Sequence, residues 1–281
     1  MKTVHNVEAL RTAIGTWRRE GARIGFVPTM GNLHEGHLDL TRRARELADR
    51  VVVSVFVNPT QFVAGEDFER YPRTLAQDQD KLRGLGVDAV FAPAADDIYP
   101  RGTANLTSIR VPLVSDGLEG EFRPGHFEGV ATVVNILFNL VQPDVAVFGD
   151  KDYQQLLVVT RMAADLHLPV QVIGHPTRRE PDGLAMSSRN QYLTADERRL
   201  APALHRTLVA IGQRLRAGER DFDALSAEGM RVLEHQGFRP QYLAVRSPQL
   251  QSPGEGDRAW QVLAAAYLGR TRLIDNLRVE L

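Results

Sequence analysis

One stretch decides the fold of this chain, namely IGFVPTMGNLHEGH at residues 24–37. An apolar run suited to a buried strand leads through a tight turn into an amphipathic run suited to a helix. His34 and His37 are three residues apart and would share one helix face, while Gly36 between them lets a flat ligand approach the backbone. The start of a helix also directs N–H groups and positive partial charge outward. The stretch therefore predicts a cradle for a nucleotide triphosphate, although on its own two ordinary histidines at a helix cap are an equal alternative.

The composition narrows the class of protein. The chain has 281 residues, of which 43% are hydrophobic and 25% charged, as is typical of soluble globular enzymes with one large or two smaller domains. Its formal net charge of -1 gives no basic footprint for nucleic acid. The absence of cysteine excludes disulfides, Cys-ligated zinc and thiol catalysis. The longest apolar run, near Val51–Val57, is far below the ~20 residues that cross a membrane. We see no signal-peptide core, so we expect a cytoplasmic enzyme with no membrane or nucleic-acid partner.

Strand-like and helix-like runs alternate through the first two thirds of the chain. The predicted strands are Arg23–Pro28, Val51–Val57, Ala89–Ala92, Val145–Phe148 and Val170–Ile173. The predicted helices are Glu35–Asp49, Thr74–Leu85, Gly129–Leu140 and Tyr153–Leu166. This alternation predicts an α/β fold, a Rossmann-like parallel sheet with helices on both faces. Ligands bind such sheets beyond the carboxyl ends of the strands, where we expect the motifs to meet.

The pattern changes near Pro176–Arg178. Two helical stretches follow, Ala195–Arg216 and Phe222–Gln236, and then three strand-like runs, Gln241–Val245, Trp260–Tyr267 and Arg272–Val279. Helices followed by successive strands are typical of an α+β domain with an antiparallel sheet. We therefore predict two domains, a nucleotide-binding domain over residues 1–177 and a small α+β domain over residues 178–281.

Two further motifs lie at the ends of predicted strands. In the segment 56–62, Asn58 and Gln61 can each donate and accept hydrogen bonds, which suits a small polar ligand, although an ordinary loop is the slightly favoured alternative for this motif alone. In the segment 148–155, Lys151 stands at the start of a helix, where a cation opposes the helix dipole. An anionic ligand such as phosphate would reverse that penalty. Lys151 is also one of only three lysines in the chain, with Lys2 and Lys81.

Two later segments carry charged or hydroxyl side chains in predicted loops. In the segment 183–190, Ser187, Ser188 and Arg189 form a candidate clamp for a polyphosphate, and a loop near a domain boundary can close over a ligand. The segment 119–127 reads as a loop because of its glycine and proline content, and Arg123 and His126 in it could meet an anion. A solvated surface loop is an equal alternative for this last segment.

Taken together, five ordered motifs resemble those of the pantoate–β-alanine ligase family of the nucleotidyltransferase superfamily. They are Pro28–His37, Phe56–Phe62, Phe122–Phe127, Phe148–Gln155 and Pro176–Tyr192. The resemblance covers the whole chain. The family joins pantoate to β-alanine with ATP and Mg²⁺ in two steps. The pantoate carboxylate attacks the α-phosphate to give pantoyl adenylate and pyrophosphate, and the β-alanine amine then attacks the acyl carbon and releases AMP.

The resemblance implies a role for each matched residue. The ATP site would comprise Met30, Gly31, His34, His37, Gly149, Lys151, Asp152, Arg178, Met186, Ser187, Ser188 and Arg189. The residues expected to bind substrate are Asn58, Gln61, Arg123 and Gln155. His37 would be the proton donor toward the leaving phosphate, assisted in catalysis by His34, Lys151 and Arg189. A homodimer is also implied.

The sequence departs from the family pattern at two places. Arg178 stands where the family usually has a small apolar residue, so its side chain must point away for adenine to pack there. Gln77 and Asp78 stand where family members can carry an acidic pair, so we assign no protein ligand to Mg²⁺. The ion would be held mainly by triphosphate oxygens and water, as is usual for Mg²⁺.

Two other functions compete with this interpretation. Another adenylate-forming nucleotidyltransferase, acting on a different carboxylate or phosphorylated metabolite, would share the ATP motifs but not the two glutamines Gln61 and Gln155. A nucleotide sensor with a decayed site would bind ATP without turnover. The intact set of His34, His37 and Lys151 argues against decay.

Overall fold

Residues 24–37 form the predicted strand, turn and helix in the computed structural model, which describes residues 1–281. The strands of the first sheet are β1 (Lys2–Val4), β2 (Ile24–Thr29), β3 (Arg50–Val55), β4 (Ala89–Phe91), β5 (Val145–Gly149) and β6 (Gln171–His175). All five pairings in this sheet are parallel. The strand order is β1-β4-β3-β2-β5-β6. Strand β3, the next strand along the chain, pairs with one edge of β2, whereas β5 pairs with its other edge. The carboxyl ends of β2 and β5 therefore form a topological switch point.

Helices cover both faces of this sheet, as predicted. They are α1 (Val7–Arg19), α2 (Glu35–Leu47), α3 (Leu75–Arg83), α4 (Ala95–Ile98), α5 (Glu119–Phe122), α6 (His126–Val141) and α7 (Tyr153–Asp165). Alternate strand residues enter two separate cores, because successive side chains of a strand point to opposite faces. Phe26 packs with residues of α1, α6 and α7, whereas Val27 packs with residues of α2 and α3. The apolar runs of the central strands are thus buried on both sides.

The remaining part of the chain forms a three-stranded antiparallel sheet with helices, again as predicted. Its elements are α8 (Ala195–Leu200), α9 (Ala203–Arg216), α10 (Phe222–His235), β7 (Phe238–Arg246), β8 (Ala259–Leu268) and β9 (Thr271–Glu280), with strand order β7-β8-β9. Its core is separate and includes Leu208, Leu225 and the fully buried Trp260. The chain divides into two units, Met1–Asp150 with Gln155–Pro176, and Lys151–Gln154 with Thr177–Leu281.

Two local predictions differ from the structure, and two further elements had no prediction. The predicted helix Ala195–Arg216 is two helices, which meet around Pro202, because proline lacks the N–H that a continuous helix requires. The predicted loop 119–127 contains the short helix α5 and the start of α6, separated by Gly125 in the left-handed region (φ 82°). The strand β1 and the helix α1 were not predicted, and β1 has only three residues.

No helix of the chain is both long and apolar enough to cross a membrane.

Candidate active site

The turn after β2 is held in place by α3. Gly31 has a φ of 82°, and an added Cβ would lie 2.9 Å from Val55 Cγ1, so glycine is required there. The carboxylate of Asp78 accepts hydrogen bonds from Asn32 N (2.9 Å) and Leu33 N (2.7 Å). Lys81 Nζ donates to Leu33 O at 2.6 Å. The two charged side chains of α3 thus fix both the N–H groups and a carbonyl of the turn that leads into α2.

Asp78 supports this turn, and sequence reasoning missed that role. It is fully buried and also accepts from Thr74 Oγ1 at 3.1 Å, so both carboxylate oxygens are bonded to protein donors. A signal was present, because Asp78 lies on the same face of α3 as Leu75 and Leu82, where an apolar residue is expected. A charged residue on a buried helix face needs partners, and here they are the N–H groups of the turn that is predicted to cradle the nucleotide.

His34 and His37 lie together at the N-terminus of α2, with ring centroids 4.1 Å apart. His34 is the N-cap, and its Nδ1 accepts from Gly36 N at 3.2 Å. His37 Nδ1 accepts from His34 N at 3.3 Å. A neutral imidazole that accepts at Nδ1 carries its proton on Nε2. The helix start therefore holds both rings as Nε2–H donors, which is the tautomer that suits phosphate oxygens.

A second cluster surrounds Gln61, in a short 3₁₀ turn (Pro59–Gln61) beyond β3. Asn58 is 1% exposed, and its Nδ2 donates to Gln61 Oε1 at 3.0 Å. Asn58 Oδ1 accepts from Tyr99 OH at 2.6 Å and from Thr60 Oγ1 at 3.0 Å. Because the amide oxygen of Gln61 is already engaged, its NH₂ group is directed elsewhere and lies 3.3 Å from Met30 Sδ.

The backbone of this turn touches α6 at Gly129. An added Cβ on Gly129 would lie 2.3 Å from Thr60 O and 2.8 Å from Gln61 N. Gly129 O also accepts from Asn58 Nδ2 at 3.3 Å. The glycine thus permits the close approach that sets the position of Gln61 relative to α6.

Arg123 and His126 support the same turn from the region that was predicted to be a loop. Arg123 donates from Nε and Nη2 to the two carboxylate oxygens of Glu66 (2.6 and 2.8 Å) and lies 3.4 Å from Gln61 O. His126 Nδ1 is 2.7 Å from Gln61 O, and its Nε2 is 3.0 Å from Arg123 Nη1. Since a carbonyl oxygen only accepts and a guanidinium only donates, the His126 proton is on Nδ1. Burial, and then the charge of Arg123, lower the pKa of His126 to about 4.

These contacts bear on two of the residues expected to bind substrate. The side chains of Asn58 and Arg123 are both occupied by protein partners, with Arg123 only 11% exposed. Both act on Gln61, one on its side chain and one on its carbonyl oxygen. Direct contact of Asn58 or Arg123 with substrate stays a prediction.

Gly149 and Gln155 complete the predicted site residues of the first unit. Gly149 ends β5, beside His175 of β6, and an added Cβ there would meet no atom within 4 Å. The glycine thus leaves open space at the carboxyl end of this strand. Gln155 is the third residue of α7 and is half-buried.

In the second unit, Lys151 and Asp152 lie in a 3₁₀ turn (Asp150–Asp152) just before α7. The side chain of Lys151 is 19% exposed, and its Nζ lies 3.8 Å from Asp152 Oδ1. The carbonyl oxygen of Lys151 accepts from Asn276 Nδ2 at 2.8 Å. Tyr153, the next residue, donates its hydroxyl proton to Pro248 O at 2.9 Å. The lysine thus stands on a backbone that the C-terminal sheet holds.

The predicted phosphate clamp is the end of a small hairpin. Arg179 pairs with Ala185 in an antiparallel bridge, and Met186 N donates to Arg178 O at 2.9 Å. Ser187 then caps a 3₁₀ turn (Ser188–Tyr192), with its Oγ accepting from Arg189 N at 3.3 Å. Met186, Ser187, Ser188 and Arg189 are therefore presented from one ordered loop.

Comparison with known proteins decides the family. The family model described as pantoate-beta-alanine ligase matches residues 2–278. The chain belongs to the pantoate–β-alanine ligase family. It is 56% identical to the pantothenate synthetase of Pseudomonas paraeruginosa over 282 residues, covering 100% of both chains. It is 57% identical to that of Pseudomonas putida, covering 100% of this chain and 98% of the relative.

Solved structures of pantoate–β-alanine ligases share this fold. The pantothenate synthetase of Thermus thermophilus matches with a TM-score of 0.92 and 47% identity, covering 100% of both chains. The pantoate-beta-alanine ligase of Francisella tularensis, complexed with beta-gamma ATP and β-alanine, matches with a TM-score of 0.83 and 36% identity, covering 99% of this chain and 97% of that one. The predicted family and fold class are thus confirmed.

Proposed function

We propose that this ligase condenses pantoate with β-alanine at the expense of ATP, giving pantothenate, AMP and pyrophosphate through pantoyl adenylate. The observation that carries the proposal is the pair of imidazoles at the N-terminus of α2, held as Nε2–H donors in a chain that belongs to the family over its whole length. Neutral donors at a helix start suit the oxygens of a phosphate.

In the first step, a carboxylate oxygen of pantoate forms a bond to the α-phosphorus of ATP, and the bond from that phosphorus to the bridging oxygen breaks. Negative charge grows on the bridging and equatorial oxygens. His37 donates a hydrogen bond from Nε2 toward the leaving oxygen, and His34 donates one toward an equatorial oxygen; both rings keep their protons. Lys151 and Arg189 add positive charge, since fixed donors are most effective where charge develops in the transition state. Met30, Gly31, Gly149, Asp152, Arg178 and the two serines of the clamp loop would line the nucleotide.

For pantoate, we assign the direct contact to the NH₂ group of Gln61 and to Gln155. The Gln61 oxygen is engaged by Asn58, so Gln61 offers a donor to the pantoate oxygens. The residues Asn58 and Arg123 hold Gln61 in this orientation. Met30, whose sulfur touches the Gln61 amide, supplies an apolar neighbour for the gem-dimethyl group of pantoate.

In the second step, the neutral amine of β-alanine attacks the acyl carbon, the bond to the AMP oxygen breaks, and the amine loses a proton. No covalent intermediate with the enzyme is required. Holding the two reactants together supplies much of the acceleration, up to ~7–11 kcal/mol for well-oriented pairs. The acyl adenylate must also be kept from water.

Magnesium is part of this proposal as the partner of ATP. The chain contains no group of three His, Asp or Glu side chains placed to hold a metal ion, and Asp78 is committed to the backbone of its turn. We assign no protein ligand to the ion, which would arrive on the triphosphate and keep most of its waters, as is usual for Mg²⁺. When bound, the ion would neutralise phosphate charge. A homodimer is likewise proposed from the family resemblance and is tested by light scattering. A cytoplasmic location is also proposed and is tested by cell fractionation.

The deciding experiment separates the two steps. Purified protein is given ATP, Mg²⁺ and pantoate without an amine, and pyrophosphate release is followed; β-alanine is then added, and AMP and pantothenate are measured. We expect pyrophosphate to appear only with pantoate. Release driven by a different carboxylate or phosphorylated metabolite would support the alternative adenylate-forming transferase. ATP binding without release would support a nucleotide sensor.

A further inference from the structure

Two adjacent residues near the middle of β9, Asp275 and Asn276, are polar and buried, being 4% and 6% exposed. Their cross-strand neighbours on β8 are Ala264 and Leu263, so neither has a polar side chain directly opposite it. Burying polar groups in such surroundings is costly unless they form hydrogen bonds. Each is bonded to a segment outside the sheet, and these two separate segments carry predicted nucleotide-binding residues.

Asp275 holds the hairpin that ends in the clamp loop. Its carboxylate forms a two-point ion pair with Arg179, at 2.7 and 2.9 Å. Arg179 Nη1 also donates to Gly183 O at 3.1 Å. Gly183 has a φ of 94°, and the ring of His205 packs against it. Asp275 therefore fixes, through one guanidinium, both the strand and the turn that lead to Met186.

Asn276 holds the backbone of Lys151. Its Nδ2 donates to Lys151 O at 2.8 Å, and its Oδ1 accepts from Gln261 Nε2 at 2.5 Å. Since the Lys151 carbonyl can only accept, the orientation of the Asn276 amide is determined. Gln261, on β8, is 2% exposed, so a buried residue of the sheet holds the Asn276 amide that contacts Lys151.

We propose that Asp275 and Asn276 are positioning residues for the adenylation step, because one strand anchors both the clamp loop and the turn that carries Lys151. The proposal rests on the proposed roles of Lys151 and Arg189 toward ATP. Because the two anchors are neighbours on β9, the sheet sets the spacing between the lysine and the clamp. Neither anchor is required to touch the substrates.

The test is the variant Asn276→Asp, which keeps the oxygen that accepts from Gln261 but replaces the donor to Lys151 with a second oxygen. We expect kcat/KM for ATP in pantoate-dependent pyrophosphate release to fall at least ~10-fold, since small misplacements of reacting groups are costly. Attack of β-alanine on separately prepared pantoyl adenylate should stay within twofold of the unmodified enzyme, because this step does not use the triphosphate. Arg179→Lys, which keeps the charge but loses the two-point geometry, should show the same split.

The matched control is Thr207→Val. Thr207 is also buried in the second unit, but its hydroxyl donates only to Ala203 O within α9, so both steps should proceed normally. Unchanged adenylation in Asn276→Asp and Arg179→Lys, or equal loss in both steps, would overturn the proposal. If the unmodified enzyme releases no pyrophosphate with pantoate, the proposed function fails and this inference with it. If Asn276→Asp does not fold, Arg179→Lys decides alone.

Discussion

The glycine at position 129 gives a sharp test of how the Gln61 turn is positioned. In Gly129→Ala, the new methyl group would lie 2.3 Å from Thr60 O, where ordinary contacts begin at 3.4 Å, so the turn and α6 must separate by about 1 Å. A displacement of about 1 Å at a substrate-binding group can reduce the rate about 100-fold. We therefore expect kcat/KM for pantoate to fall ~100-fold, while the KM for ATP changes little.

The same substitution should have only a modest effect on stability. Crowding a packed contact costs ~1–3 kcal/mol, but alanine is favoured over glycine inside a helix by about 1 kcal/mol. The net loss in the free energy of unfolding should therefore be at most ~2 kcal/mol. Urea unfolding measures this loss, and pyrophosphate release at varied pantoate measures activity. The two measurements separate a misplaced turn from an unfolded enzyme.

The matched control is Gly15→Ala, in α1. Only Arg19 Nη1, at 3.5 Å, would lie near its new methyl group. This variant should gain slightly in stability and keep normal kinetics. Pantoate kinetics within threefold of the unmodified enzyme in Gly129→Ala would refute the reasoning, because they would show that the position of the Gln61 turn does not limit catalysis.

Three further predictions concern single side chains. Lys151→Ala should lower turnover at least ~100-fold with an unchanged circular dichroism spectrum, as expected for a lost transition-state charge; near-normal rates would remove Lys151 from the mechanism. Tyr99→Phe loses the 2.6 Å donor to Asn58 and should raise the KM for pantoate up to ~10-fold without affecting ATP, since a net hydrogen bond contributes about 1 kcal/mol. His126 has a pKa of about 4 when folded and 6.5 in its ordinary state, so the unfolded chain takes up its proton first as the pH falls. The buried neutral ring of His126 therefore contributes its full share of the free energy of unfolding only above pH 6.5. We expect that free energy to fall by about 2 kcal/mol between pH 7 and pH 5. In urea unfolding, His126→Gln should not show that part of the loss, and an identical pH dependence in both proteins would contradict the assignment.

The sheet could be predicted because buried parallel strands are near-continuous apolar runs. The segments around Val52 and Val147 have this character, and the structure places them in the centre of the sheet. The prediction failed where local signals compete. Proline at 202 divides a helix whose apolar spacing continues on both sides, and glycines at 120 and 125 suggested a loop where two helices nearly meet. Glycine content indicates backbone freedom, but it does not say whether the chain uses that freedom to turn or to pack closely.

The supporting residues of the site were harder to find because their partners are far apart in sequence. Tyr99 meets Asn58 across 41 positions, Asp78 meets Leu33 across 45, and Asn276 meets Lys151 across 125. No spacing rule connects such pairs. The available signal is a polar residue at a position that periodicity assigns to the interior, as for Asp78 in α3. Such a residue predicts that a partner exists without saying which one.

Residue type alone also cannot distinguish a side chain that binds substrate from a side chain that orients the substrate-binding residue. The amides of Asn58 and Gln61 show why. Asn58 and Gln61 have the same functional group and are three residues apart, yet Asn58 is buried with both ends of its amide bonded to protein atoms. Gln61 has its oxygen engaged, but its NH₂ group meets only the sulfur of Met30 at 3.3 Å. A thioether is a weak acceptor, so exchanging it for a carboxylate or hydroxyl oxygen improves the hydrogen bond. We therefore propose Gln61 as the residue that meets pantoate, and Asn58 as the residue that decides which end of the Gln61 amide is offered.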